Sequence, residues 1–135
     1  MTFPSSVPAG KSPVSGETPV TPVTATPEIT IQEFQRLSLR TGTILTAEIH
    51  PQADRLLVIK VDIGEPEPRQ VVAGIRSGYQ PENLIGKQVV VVANLKTAVL
   101  RGIESRGMIL AATDATAGIV LLALEKPVAP GSTVK

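Results

Sequence analysis

The sequence predicts an all-β domain built as a small closed barrel of five strands, with short flanking helices and a disordered N-terminal tail. Three observations lead there. Short stretches rich in Val, Ile and Leu recur at close intervals, each bounded by Gly, Pro, Asp or Asn. No stretch keeps a helical apolar spacing for long, and no internal repeat is present. The one internal helical signal, Pro81 within SGYQPENLIG, falls between the third and fourth strands.

Residues 1–27 contain six prolines and nine serines or threonines, with Lys11 balancing Glu17. Such a composition cannot bury a core, so this stretch is expected to be a disordered tail, with the folded domain spanning 28–135. ITIQEFQRLSL places Ile31, Phe34 and Leu37 at three-residue spacing, which predicts a short helix. Thr30 is its cap, and Glu33 completes a capping box. Residues 40–49 (RTGTILTAEI) read as the first strand, broken by His50-Pro51.

The second strand, 55–63 (RLLVIKVDI), puts Leu57, Ile59, Val61 and Ile63 on one face. The turn Gly64-Glu65-Pro66-Glu67-Pro68 leads to a third strand, 69–75, completing a hairpin. The fourth, from Gln88 to Leu95, contains four consecutive valines, so both faces should be covered. One face would be barrel interior, and the other would meet a flanking element or a second subunit. Met108–Ala112 and Gly118–Leu124 form a second hairpin across TDATA, and PVAPGSTV ends in a turn and a last short strand. Three strands, a helix and a two-strand return is the order of an OB-fold.

Between the fourth and fifth strands lies NLKTAVLRGIESRGM, residues 94–108. Asn94, Lys96, Arg101, Ser105 and Arg106 gather donors suited to phosphates and base edges around Gly102 and Gly107. A polar, glycine-punctuated connection at a barrel rim is where such folds place binding chemistry. Lys96, Arg101 and Arg106 are candidates for phosphate contacts, against the alternative of a solvated loop. Asn94 and Ser105 either donate to sugar and bases or satisfy the turn's own backbone. Met108 either fills the core or packs its thioether on a ribose or base. Arg40 and Arg55 bracket the first strand and extend the positive surface, although Asp54 beside Arg55 offers a surface ion pair instead.

Composition narrows the functional classes. The chain has no cysteine and one histidine, which excludes disulfides, thiolate metal sites and a two-histidine metal site. No cofactor is expected. No G-x-S-x-G occurs, nothing places a serine near His50, and Asp54, Asp62 and Glu65 are too scattered for a metal loop, so catalysis is not expected. The apolar runs fall well short of the ~20 residues of a membrane span. The start MTFPSSVPAGKSPV lacks the features of a secretory signal, and a cytoplasmic location is expected. Net charge is only +1, and the aromatics are Phe3, Phe34 and Tyr79. Bases of a single strand would have almost nothing to stack on. A nucleic-acid ligand would be read by shape, through backbone and edge contacts.

From about Phe34 onward the chain resembles a known family on LRTGTILTAEIHPQADRLLVIKVDIG, RQVVAGI, YQPENLIGKQVVVVANLK and LRGIESRGMILAA. It is similar to the tRNA-binding OB domain found as a free-standing bacterial protein and at the C-terminus of bacterial methionyl-tRNA synthetases. The resemblance implies a non-catalytic module that binds folded tRNA with little sequence selectivity and assists an aminoacyl-tRNA synthetase, in the manner of a synthetase beta subunit. It also implies a homodimer. Asn94, Lys96, Arg101, Ser105 and Met108 match the family's binding segment. Thr97 stands where the family usually has proline, and Val99 where a basic residue is common, so weak binding by one domain is expected. The alternative is a protein-binding or export-chaperone-like role on the same barrel.

Overall fold

The computed structural model describes residues 26–135. All but the last two residues of the expected tail lie outside the described residues. The chain divides into two units between Phe34 and Gln35. In the described part of the first, Thr30 accepts from the Glu33 N–H at 3.1 Å while Glu33 Oε1 accepts from the Thr30 N–H at 2.8 Å. This is the expected capping box, and it starts a single turn, α1 (Ile31–Phe34). The helix ends before Leu37.

The second unit is the barrel. Its organising strand is β1 (Leu39–Ile49), which lies between β2 (Leu57–Asp62) and β4 (Gln88–Val92). It pairs with β4 from Leu39↔Val92 to Thr43↔Gln88, and with β2 from Thr43↔Asp62 to Ile49↔Leu57. The register shifts between Ile44 and Thr46, so the strand bends where it passes from one partner to the other. β3 (Arg69–Ala73) pairs with β2 as the expected hairpin. A 3₁₀ turn at Pro81–Asn83 fills the expected helical position between β3 and β4.

The alternation of β2 is realised as read. Leu57, Ile59, Val61 and Ile63 join Ile44, Val71, Val89 and Val91 in one core cluster. The whole run Val89–Val92 is buried, Val90 and Val92 on the face away from that cluster. This covering is achieved without a second subunit.

The fifth strand comes in pieces. β6 (Ile103–Ser105) and β7 (Met108–Ile109) flank Arg106-Gly107, and β7 pairs with β4 through Val91↔Ile109 and Val92↔Met108. On its other side this run meets the free edge of β3. The Arg106 N–H donates to Gln70 O at 2.8 Å, Ser105 Oγ accepts from the Val72 N–H at 3.0 Å, and Gln70 Nε2 donates to Glu104 O at 2.8 Å. The sheet thereby curls into a nearly closed barrel, the OB-type architecture expected.

Beyond it, β8 (Ala111–Asp114) and β9 (Gly118–Leu121) form the second hairpin, with a first strand shifted from the expected Met108–Ala112 because Met108 and Ile109 pair with β4 instead. In its turn Asp114 Oδ2 accepts from the N–H groups of Ala117 at 2.7 Å and Thr116 at 2.8 Å. Those bonds, that of Ala117 first, hold the carboxyl below its ordinary value of 3.8. The last strand, β10 (Thr133–Val134), pairs with Leu39 and Arg40 at the start of β1. It is led there by Gly131, whose N–H donates to Thr41 O at 2.8 Å. Gly131 has φ 85°, and a Cβ there would sit 2.4 Å from Ile63 O.

Two outcomes follow for stability. Gly131→Ala should cost about 2 kcal/mol or more, because a side chain is disfavoured at positive φ and the clash adds to it. Urea unfolding measures this, and a wild-type midpoint would contradict the crossing described. Asp114 has a folded pKa below its unfolded one, so its contribution is complete above the ordinary value and fades as pH falls through the lowered one. An NMR titration should place the Asp114 carboxyl midpoint below that of an unstructured aspartate, and Asp114→Asn should remove this acid-sensitive component.

Candidate nucleic-acid interface

The connection after β4 is not an open loop. It folds into a hairpin of its own, β5 (Ala98–Leu100) against β6, with Ala98↔Ser105, Val99↔Glu104 and Leu100↔Ile103 paired. The two-residue turn is Arg101-Gly102, with φ 54° and 89°. Positive φ at both positions matches a right-twisted two-residue hairpin. Gly102 adopts it freely. Arg101 is the one non-glycine residue at positive φ among the described residues, and asparagine or glycine would sit there with less strain. The strained position puts its side chain at the turn of the hairpin, exposed to solvent.

Side chains from distant strands hold the hairpin. At its neck, the Arg69 guanidinium donates to both Ala93 O and Arg106 O, and is itself held by a two-point ion pair with Glu65. In the middle, Ser105 Oγ takes the Val72 N–H and donates to Gly107 O at 3.1 Å. Near the tip, His50 lies 3.0 Å from Leu100 O through Nε2, while its Nδ1 accepts from the Gln52 N–H at 3.0 Å. Nδ1 as acceptor requires the proton on Nε2, which donates to Leu100 O.

The residues expected to bind therefore separate by role. Arg101 is exposed at the tip, and Lys96 is exposed on the approach to β5. Arg106 has an exposed side chain, while its backbone is committed to Gln70 and Arg69. Met108 is 47% exposed at the start of β7, open to a ligand rather than filling the core. Ser105 is buried, and its hydroxyl is committed both as donor and as acceptor. Asn94 is tied to the chain before β1, accepting from the Ser38 N–H at 2.8 Å and donating to Arg36 O at 2.6 Å. Arg40 donates to Gly131 O and Thr133 Oγ1, both at 3.1 Å, and lines a shallow pocket with Ser38, Arg69 and Ala93. It belongs to the neck, not the tip.

Arg55 is exposed in the loop after β1 and is free of Asp54, since the only ion pair among the described residues is Arg69–Glu65. A second cation that sequence reading passed over, Arg76 in the segment after β3, is bound to this loop. The Arg76 N–H donates to Arg55 O at 3.4 Å, and its guanidinium to Asp54 O at 3.2 Å. Because His50 joins this loop to Leu100, Arg55, Arg76 and Arg101 belong to one end of the barrel. Around the side, the groove beneath the hairpin carries Glu48 and Glu104 beside Ile49, Val58 and Ile103. Its carboxylates disfavour phosphate there. No group of side chains suited to holding a metal ion occurs among the described residues.

A family model described as "Putative tRNA binding domain" matches residues 39–133. A methionine–tRNA ligase of Methanococcoides burtonii is 47% identical over 106 residues, covering 78% of this chain and 16% of that protein. The chain thus spans about one sixth of the length of the curated relatives it matches. Among solved structures, a MetRS related protein from Pyrococcus horikoshii superposes with TM-score 0.75 at 30% identity, over 82% of this chain and all of the other. The chaperone CsaA from Bacillus anthracis does so with TM-score 0.73 at 29% identity, over 81% of this chain and all of the other.

The two kinds of residue should respond differently to substitution. Ser105→Ala strands the buried Val72 N–H and should cost roughly 1–3 kcal/mol in chemical unfolding. Arg101→Gly relieves a strained backbone and should leave the unfolding midpoint unchanged or raise it. A strong loss from Arg101→Gly would show that the arginine holds the fold.

Proposed function

We propose, from the premise that the chain belongs to the tRNA-binding domain family, that its surface for tRNA is the end of the barrel carrying Arg101, Arg55 and Arg76, continued along the hairpin by Lys96 and Arg106. The observation that supports this most is Arg101 itself. A long cationic side chain occupies a positive-φ turn position that a smaller residue would relax, and backbone strain of this kind gathers at functional sites. The three arginines come from three separate connections brought to one end, a placement OB barrels use for nucleic acids.

The mode of recognition follows from what surrounds those charges. Only Tyr79 and Phe34 of the aromatic residues lie among the described ones, and Tyr79 is partly buried with its hydroxyl accepting from the Leu121 N–H. Stacking of unpaired bases has no platform at the loop end. Phosphates spaced by a folded RNA are the matching ligand, and the preference is for shape over sequence. In this reading the chain performs no chemistry. It holds tRNA for a methionyl-tRNA synthetase in the cytoplasm, and pairing of two copies strengthens weak binding by a single domain. Similarity to a chaperone leaves a protein-binding role as the second reading, with the apolar, acid-rimmed groove under the hairpin as its surface.

A titration with total tRNA at two salt concentrations, beside a single-stranded oligonucleotide of equal length, separates the two readings. Affinity for tRNA should exceed that for the oligonucleotide and fall steeply with salt. Lys96→Ala with Arg101→Ala should weaken tRNA binding and reduce the logarithmic salt slope by about two, roughly one for each phosphate that is no longer neutralised. Unchanged binding by the folded double variant would remove this surface from the reading. Retention of unfolded peptide without tRNA would favour the second.

A further inference from the structure

His50 is the one titratable side chain that is fully buried in the barrel unit yet absent from any ion pair, and the proposed binding surface makes no direct use of it. It is 1% exposed, so it touches no ligand. Both ring nitrogens are nevertheless committed, and to different loops. Nδ1 takes the Gln52 N–H, two residues along the loop that carries Arg55, and Nε2 reaches the carbonyl of Leu100, the residue before Arg101. The same loop is fastened from the other side by Arg76, through Asp54 O and Arg55 O. The imidazole is thus the side chain that bridges the two cation-bearing loops.

Resting on the reading of that barrel end as the tRNA surface, we infer that His50 is a positioning residue: it fixes the Arg101 turn against the Arg55 loop that Arg76 braces, so that the three guanidiniums meet the ligand as one preformed set. The physical reason is entropic. Leu100 and Arg101 sit at the end of a three-residue ladder, where a hairpin of two strands has little stability of its own. Without the Leu100 bond the tip must be ordered during binding, and that cost is subtracted from affinity. The bridging bond sits apart from the neck and middle of the hairpin, where Arg69 and Ser105 hold the fold, so its loss loosens the tip without opening the barrel.

The experiment is a thermodynamic cycle in tRNA binding on the full chain. His50→Asn keeps a side-chain acceptor for the Gln52 N–H but is too short to reach Leu100 O. His50→Phe, which fills the space, replaces it if the asparagine variant does not fold. His50→Gln restores a donor near Leu100 O. The asparagine variant should bind total tRNA roughly three- to tenfold more weakly, the worth of one hydrogen bond, and the glutamine variant should recover much of that loss. Combined with Arg101→Ala, His50→Asn should add little further loss, because its effect runs through the Arg101 side chain. Wild-type binding by folded His50→Asn, or an equal loss with and without Arg101, would overturn the inference while leaving the surface intact. Unchanged binding by Arg101→Ala alone would instead overturn the surface, and the positioning role with it.

Discussion

The barrel depends on how its last gap is closed. β3 ends the curled sheet as a free edge, and such an edge has unpaired N–H and C=O groups that water or a partner must satisfy. Here the chain satisfies them itself, with little help from a regular ladder. Ser105 supplies an oxygen to Val72, Arg106 supplies an N–H to Gln70, and Arg69 reaches across to two carbonyls while Glu65 holds its charge. The core valines and isoleucines provide the driving force for collapse. These few directed bonds decide that the sheet closes, and where. They also seat the base of the hairpin that bears Arg101, so barrel closure and the placing of that hairpin share contacts.

That sharing explains which parts were legible in the sequence. Alternation gave β2 almost to the residue, because Leu57, Ile59, Val61 and Ile63 face one core and nothing competes with the pattern. Four valines in a row correctly announced a strand covered on both faces. Thr30 and Glu33 announced the helix start, and Asp114 marked its turn, because those signals act over two or three residues. The β5–β6 hairpin was not legible. Its turn is Arg-Gly, where a readable hairpin would show Asn-Gly or Asp-Gly, and its strands are only three residues long.

The candidate residues were legible as a polar set, and their individual contacts were not. Polar residues in NLKTAVLRGIESRGM look alike on the page, and the structure divides them by what reaches them from far along the chain. Asn94 is engaged by residues 56 and 58 positions earlier, and Ser105 by one 33 positions earlier. No local pattern encodes such partners. Arg76 was missed for the same reason: within GIRSGY it looks like a solvated loop residue, and only its bonds to Asp54 and Arg55 bring it to the loop end. Departures at Thr97 and Val99 leave the hairpin one proline and one charge poorer than the family pattern, yet the hairpin is tied at neck, middle and tip. Preorganisation by buried contacts and density of surface charge are separate routes to affinity, and the contacts of this hairpin are of the first kind.

The pairing of β10 with the first residues of β1 has a consequence for the order in which the molecule is made. Leu39 and Arg40 acquire their outer partners only from Thr133 and Val134, more than 90 residues later. During synthesis β1 can meet β2 and then β4, but one edge of its opening segment stays unpaired until Thr133 and Val134 have been made. Contacts of such long sequence separation make folding slow relative to a helical domain of equal size. Until Thr133 and Val134 are available, the outer edge of Leu39 and Arg40 is open to pairing with other strands, and its closure in the native fold removes that hazard.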